Sequence, residues 1–316
     1  MRSRYFLIGV LALALFTLGA SVVLRAADFR PPVDAVIDTG ADVARASGAP
    51  VRSPVLKVAV SAMISPRDTF ESYAGYVDYL ARELEMESEL VVRKTYEEVN
   101  ELVASGEVDV AFICTGAYVN EGAAEQMHLL VSPIVRGQEN YYSDIIVPLA
   151  STADSLAALE GSRFAYVDPI SNTGRNAPRR LLEKRGLDPE VFFSDTLLTG
   201  SHDKSIRAVA DGIVDGAAVD HLILEAMLLE GDSAASRVRI VERIGPFGMP
   251  PVVTRLSLDE SLRLRILDVF LDSGADPEAR VFLDALGIDG FRVPPQEEYD
   301  AVTTPEALKS VIVRER

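Results

Sequence analysis

The chain of 316 residues is poor in the side chains from which catalytic and metal sites are usually built, with one cysteine and three histidines. A single cysteine excludes an intrachain disulfide, a CxxC redox pair and a cysteine-built zinc cluster. Cys114 lies inside the apolar run VDVAFICT and reads as a buried small hydrophobe. His128, His202 and His221 lack the spacing of metal-ligand pairs, so neither a metal nor a cofactor is expected. There is no GxSxG elbow, GxxxxGK phosphate loop, HExxH or GxGxxG, and no nucleophile–base constellation replaces them. Positive charge is also short, with 31 Lys and Arg against 48 Asp and Glu and a formal net charge of −17. A nucleic-acid backbone needs clustered Lys and Arg, and is excluded as a partner. A small anion is not, because backbone dipoles hold one without net positive charge.

What is present begins at the N-terminus. Arg2 and Arg4 precede YFLIGVLALALFTLGASVVL, an apolar run from Tyr5 to Leu24 that targets a membrane. It approaches the roughly 20 residues needed to span a bilayer. Two readings of residues 1–24 stay open, a signal peptide cut after Ala20 or a retained anchor, and both export the rest. The arginines would stay in the cytoplasm. No cysteine follows the run, which argues against a lipid anchor. Residues 25–54 mix Pro, Gly, Ala and Asp with little periodicity and read as a tether.

The chain as a whole is 48% apolar, and from residue 55 onward it is long enough for a well-buried core. LKVAVSA reads as a strand covered on both faces, and Phe70, Tyr73, Tyr76, Val77, Leu80 and Leu84 recur at helical spacing after it. Tyr73, Tyr76 and Tyr79 on that helix are assigned to packing. Thr95 and Glu98 form a capping-box signature opening a helix that ends near Gly106, before VDVAFICT. This β-α-β-α-β rhythm predicts an α/β fold with doubly wound, mostly parallel sheets.

ELVASGEVDVAFI, from Glu101, reappears as IRAVADGIVDGAAV, from Ile206: a helix reaches a Gly, Val-Asp follows after one residue, and a strand begins. A duplicated lobe is the economical reading. HLLVSPIVRGQENYYSDIIVPLA and RVRIVERIGPFGMPPVVTR then read as two crossover hinge strands. They place lobe 1 at about 55–135 and 245–300, lobe 2 at about 140–240, and a C-terminal tail at 301–316. DESLRLRILDVFLDSG and DPEARVFLDALGI are expected as helices on the first lobe. The cleft between lobes collects the carboxyl ends of the strands, where ligands bind in such sheets.

Two polar turns open helices in the second lobe. SNTGRNAP, Ser171 to Pro178, follows the strand FAYVD, and Thr199, Gly200, Ser201 and His202 open the next helix. Each turn is either a plain helix cap or a cradle for an oxyanion, since the first N–H groups of a helix lack partners.

VAVSAMISP, RKTYEEVNELVASGEVDVAFICTGAYV, YYSDIIV, FAYVDPISNTGRNAP, GSHDKSIRAVADGIVDGAAVD and GPFGMPPVV together resemble the substrate-binding proteins of phosphate, phosphite and phosphonate ABC transporters, the phosphonate-binding protein family. The resemblance runs from about Leu56 to Phe291. It implies the two-lobed periplasmic-binding-protein architecture of type II, closing on ligand about a hinge, and no enzymatic activity. Position by position it assigns Ser171, Asn172 and Thr173 to the oxyanion turn, Tyr96 and Tyr141 to pocket tyrosines and His202 to a pocket histidine. Ser61 falls where the opposite lobe contributes a hydroxyl. Leu222 and Met249 stand where members that take aminoalkylphosphonates carry acidic residues, which argues against an ammonium on the ligand. Asp220 is the remaining carboxylate, either a helix cap or an acceptor for a protonated P–OH. The implied partners are a small phosphorus oxyanion and an ABC permease. The alternative is a tethered sensor speaking to a membrane partner. The chain is expected to be a monomer, periplasmic or otherwise extracytoplasmic.

Overall fold

The run LKVAVSA supplies the strand in the middle of a parallel trio, and its consecutive apolar residues Val58, Ala59 and Val60 are buried on both faces of the sheet. The computed structural model describes residues 53–304 and 308–313, except 62, 64 and 65. The expected targeting segment 1–24, and the tether up to residue 52, lie outside the described residues. Among the described residues no helix is long and apolar enough to cross a membrane.

The first lobe opens with β1 (Val55–Ser61), α1 (Pro66–Glu83), β2 (Glu87–Arg93), α2 (Tyr96–Ser105), β3 (Val110–Phe112), the single turn α3 (Thr115–Tyr118) and β4 (Met127–Val135). The second is made by β5 (Asn140–Pro148), β6 (Arg163–Tyr166), α4 (Ala177–Lys184), β7 (Asp195–Leu198), α5 (His202–Ala210), β8 (Gly216–Asp220), α6 (His221–Leu229) and β9 (Val238–Gly248). The chain returns through β10 (Val252–Arg255), α7 (Glu260–Ser273), α8 (Pro277–Leu286) and β11 (Ile288–Arg292), and finishes with α9 (Glu297–Asp300) and β12 (Ser310–Ile312). The two six-stranded sheets have orders β11-β4-β10-β3-β1-β2 and β12-β9-β5-β8-β6-β7.

These orders superimpose element for element, so the two lobes share one topology. The repeated Val-Asp does the same work in each. Asp109 accepts from Lys57 N at 3.0 Å, and Asp215 from Arg163 N at 2.9 Å, so each carboxylate pins the start of the neighbouring parallel strand. The glycines three residues earlier, Gly106 and Gly212, have φ of 76° and 70°, a left-handed helix end that favours glycine. The capping box also forms, with Thr95 Oγ1 accepting from Glu98 N and Glu98 accepting from Thr95 N.

Both sheets are mixed. The pairings within β2-β1-β3 and β7-β6-β8 are parallel and the other three pairings of each sheet antiparallel, so β4 and β9 run in the direction of their trios while β10, β11, β5 and β12 run against them. The reason is the crossover. β4 leaves the first lobe and continues as β5, while β9 leaves the second and continues as β10, so each lobe gains an exit strand and an entry strand of opposed direction. The stretch expected as a C-terminal tail is a third passage, because β12 pairs with β9 at the edge of the second sheet. Lys184 Nζ donates to Leu308 O at 2.8 Å and helps hold it there.

Tyr76 and Tyr79 are buried packing residues of α1, as the helical spacing implies. Their hydroxyls reach Ser273 Oγ and Asp276 Oδ2, each at 3.0 Å, and so dock the helix on α7 and α8. The expected C-terminal helices therefore belong to the first lobe.

The lobes touch across the cleft. Tyr96 N donates to Asp168 Oδ2 at 3.2 Å, His202 N to Met63 O at 3.0 Å, and Thr115 Oγ1 to Gly248 O at 2.9 Å. Closest of all is Gly116, where a Cβ would lie 2.1 Å from Ile170 O and 2.4 Å from Asn172 N. Both obstacles are backbone, so no rotamer relieves them. Gly116→Ala is expected to fold with unchanged circular dichroism yet hold the lobes apart, giving a larger radius of gyration by small-angle scattering than the unsubstituted chain with the same anion present. An identical radius would show that the close approach is dispensable.

Candidate functional site

The carboxyl ends of all six parallel strands meet at the cleft, and each delivers polar groups there. Ser61 ends β1, Tyr96 opens α2 after β2, and Cys114 and Thr115 follow β3. On the other side Ser171–Thr173 follow β6, Ser201 and His202 follow β7, and Asp220 ends β8. Tyr141 comes in from β5. Every one of these residues is buried.

The turn SNTGRNAP divides its labour. Ser171 Oγ accepts from Gly174 N at 3.1 Å, the plain cap. Asn172 is structural scaffolding: its amide nitrogen donates to Tyr141 Oη at 3.2 Å and its Oδ1 accepts from Arg180 at 2.9 Å. Thr173 alone keeps a free hydroxyl. Among the described residues its Oγ1 is buried with no protein partner, while its carbonyl accepts from Ser143 Oγ at 2.6 Å. The turn is π-helical over Asn172–Asn176 before α4 begins, with Pro178 in the first helical turn. A Cβ on Gly174 would meet Val167 at 2.5 Å, so glycine permits the turn to lie against β6.

His202 and Asp220 form one unit. Asp220 N donates to His202 Nδ1 at 2.9 Å, and a backbone N–H can only donate, so Nδ1 is bare and the ring proton sits on Nε2. That Nε2 is buried without a protein partner. Burial holds the His202 pKa below the ordinary histidine value, against the opposing pull of Asp220 and Asp203. The ring is therefore a neutral N–H donor at neutral pH. Asp220 caps α6, its Oδ1 accepting from Leu222 N at 2.9 Å, and also lines the cavity beside Ser61.

The same buried, unpartnered state is shared by the hydroxyls of Ser61, Tyr96 and Ser201. Tyr96 and Tyr141 are both held well above the ordinary tyrosine value, first by burial and then by the neighbouring Cys114 and Asp220, with Asp168 adding to Tyr96. These two tyrosines thus stay protonated, and they share one electrostatic neighbourhood with the neutral His202 and with Asp220. Cys114 is pushed up to about 11, chiefly by burial, so its thiol is not a nucleophile at neutral pH. Among the described residues no group of His, Cys, Asp and Glu is arranged to hold a metal ion.

Ser201, named with its turn but not assigned to the pocket by the family resemblance, joins the site here, because its hydroxyl is buried without a partner among the described residues. His221, left to a bland reading, accepts from Tyr142 N at 3.1 Å and packs edge-on to that ring, so it supports β5. His128 is exposed on β4.

Two lobes of one topology, joined by crossing strands and lined at their interface by buried donors, define a binding protein of the two-lobed periplasmic type. The chain belongs to the family described as ABC transporter, phosphonate, periplasmic substrate-binding protein, whose model matches residues 58–299. This is a family of binding proteins and not of enzymes. The phosphonates-binding periplasmic protein of Escherichia coli (strain K12) is 26% identical over 160 residues, which covers 49% of this chain and 47% of that protein. The phosphate-import protein PhnD of Mycolicibacterium smegmatis is 25% identical over 185 residues, covering 55% of this chain and 58% of that one. The chain therefore matches about half the length of these curated relatives. Among solved structures, a binding protein component of a phosphonate ABC transporter from Pseudomonas aeruginosa aligns with a TM-score of 0.74 at 20% identity, covering 79% of this chain and 85% of that one. PhnD1 from Prochlorococcus marinus (MIT 9301), in complex with methylphosphonate, aligns with a TM-score of 0.71 at 16% identity, covering 78% and 95%. At these identities the likeness is one of fold.

A neutral buried His202 sets a pH dependence. The unfolded chain takes up a proton below the ordinary histidine pKa of about 6.5 while the folded chain resists it, so this residue's contribution to stability is present above that pH and is lost as pH falls below it. In urea titrations the stability of the unsubstituted chain relative to His202→Asn is expected to decline steadily from pH 7 to pH 5. A constant difference would mean that His202 titrates normally.

Proposed function

We propose that the protein is an exported receptor that closes its two lobes on a small phosphorus oxyanion, such as phosphate, phosphite or a small phosphonate, and delivers it to an ABC permease. The observation that carries this reading is the set of buried donors without protein partners: the hydroxyls of Ser61, Tyr96, Thr173 and Ser201, and Nε2 of His202. Each such group costs about 1–3 kcal/mol when left unpaired, and a tetrahedral oxyanion offers an acceptor to each. In this reading Ser61 and Tyr96 serve from the first lobe, and Thr173, Ser201 and His202 from the second. Ser171, Asn172 and Tyr141 hold the turn in shape. Asp220 accepts from a P–OH, which favours a singly protonated anion over sulfate. Export rests on the apolar run Tyr5–Leu24, with 25–54 as tether. The length of that run also favours a second reading, in which a retained anchor keeps the receptor beside a membrane partner as a sensor.

Phosphate, phosphite or methylphosphonate at about a hundred times its Kd is expected to stabilise the chain by about 2.7 kcal/mol in thermal melts. No heat with any of the three in calorimetry, together with binding of an amino acid, would sink the proposal. Thr173→Val removes only a hydroxyl with no protein partner. It is expected to lower anion affinity roughly ten- to hundredfold, the worth of a hydrogen bond to a charged group, and to raise the unliganded stability by up to about 1–3 kcal/mol as the unpaired hydroxyl is removed. Ser171→Ala is expected to show a loss of about 1 kcal/mol in urea stability, as a helix cap does. The assignment of Thr173 fails if its variant binds as tightly as the unsubstituted chain.

A further inference from the structure

The third passage between the lobes, a strap of residues 293–304 and 308–313, is fastened at both ends. On the first-lobe side the hydroxyl of Tyr118, at the end of α3, donates to Gln296 Oε1 at 2.8 Å. The Tyr118 ring packs edge-on to Tyr299 with 5.1 Å between centroids. Tyr299 is buried on α9, and its hydroxyl donates to Met249 O at 2.8 Å, between β9 and β10. On the second-lobe side the strap lies along α4. Arg180 and Lys184, one turn apart on that helix, donate to Val302 O and Leu308 O, and Arg185 donates to Ser310 Oγ at 3.2 Å. β12 completes the attachment by pairing with β9, where Gly245 N donates to Lys309 O and Val313 N to Val241 O, each at 3.0 Å. Val302 and Leu308 bury their side chains in the main apolar core.

α4 is the helix that SNTGRNAP opens, and one of its contacts with the strap has a second use. Arg180 Nη1 donates to Val302 O while Nη2 donates to Asn172 Oδ1 at 2.9 Å. A guanidinium holds its donors in one rigid plane, so two acceptors bonded to its two arms keep a fixed relation to each other. Asn172 passes the constraint on, because its amide nitrogen donates to Tyr141 Oη at 3.2 Å. Thr173 follows with its hydroxyl unpartnered among the described residues. The bonds from Gly174 N and Asn176 N to Ser171 shape the turn internally, but they do not join it to the strap.

We infer that Arg180 is a positioning residue of this turn, through which the C-terminal strap orders Asn172 and Thr173 and so sets the affinity of the site. Because the strap is fixed to both lobes, a movement of one lobe against the other reaches the turn by way of Val302 and Arg180. The effect on affinity rests on the oxyanion reading above. The coupling of strap and turn does not.

The test is a double-mutant cycle on the full-length chain in detergent, read first by hydrogen exchange of the amides of residues 171–176. Val311→Pro loosens the strap at a distance from the turn. Val311 faces Arg243 in register, midway between the bonded residues Lys309 and Val313, so proline removes a ladder donor there. Val311 is exposed, so the core stays intact. The variant is expected to speed exchange at 171–176 roughly fivefold or more, the low end of couplings between sites, and to leave β1 unchanged. Arg180→Met is expected to do the same, and adding Val311→Pro to it is expected to change nothing further. Arg180→Lys keeps the charge without the fork and is expected to match Arg180→Met, and it completes the cycle if the methionine variant does not fold. Unaltered exchange at 171–176 in Val311→Pro, additive effects of the two lesions, or an equal rise at β1 overturns the inference.

The second readout is calorimetry with inorganic phosphate, phosphite and methylphosphonate. Whichever binds the unsubstituted chain is expected to bind each single variant roughly fivefold more weakly. Full affinity in Arg180→Lys would show that Arg180 acts by its charge, and overturns the positioning role. If none of the three binds the unsubstituted chain, the oxyanion reading falls, while the exchange rates still decide whether strap and turn are coupled.

Discussion

Among the described residues, four hydroxyls and one imidazole N–H buried where the two lobes meet have no protein group to bond, a cost the fold carries at that interface. The rest of the molecule can be understood as holding those donors in position. Six parallel strands end there, so the residues just past each strand are brought together from positions spread between Ser61 and Asp220. The approach is close enough that only hydrogen fits at the α-carbon of Gly116. Groups that could have satisfied the donors are spent elsewhere: Ser171 on the cap, Asn172 on Tyr141 and Arg180, and Asp168 on the backbone of Tyr96 and Ile170.

Under the proposed function, donors of this kind reconcile a net charge of −17 with an anionic ligand. Neutral hydroxyls, a neutral imidazole and helix-start amides present positive hydrogen to the ligand without a full charge that would itself need desolvating. Burial maintains that neutrality, keeping His202 deprotonated at Nδ1 and the tyrosines and Cys114 protonated.

Much of this was legible in local pattern. The repeated helix-Gly-x-Val-Asp-strand unit showed the duplication, and the structure supplies its cause, since Asp109 and Asp215 each accept from the first residues of an adjacent strand. The capping box at Thr95 and the packing role of Tyr76 and Tyr79 follow from three- and four-residue spacings that a helix realises by itself. The antiparallel half of each sheet was not legible, because strand direction depends on where the chain enters a lobe and leaves no local mark. Nor was β12, three residues long with two of them exposed, whose only reason to be a strand is the free edge of β9.

The candidate site divides along the same line. Residue type and position after apolar strands placed Ser171, Asn172, Thr173 and His202 in helix-opening turns of an α/β sheet, whereas Ser61, Tyr96 and Tyr141 stood out only through the family resemblance. Type and position left open whether each turn is a cap or a cradle. Tertiary structure decided that, because a hydroxyl's use depends on which acceptors surround it in space. Ser171 finds Gly174 N and caps, while Thr173, two residues on, finds no protein partner. The volume beside them was likewise set only by the closing of two lobes, since a cavity between Leu222, Met249 and Phe112 exists only once residues more than a hundred positions apart share a wall.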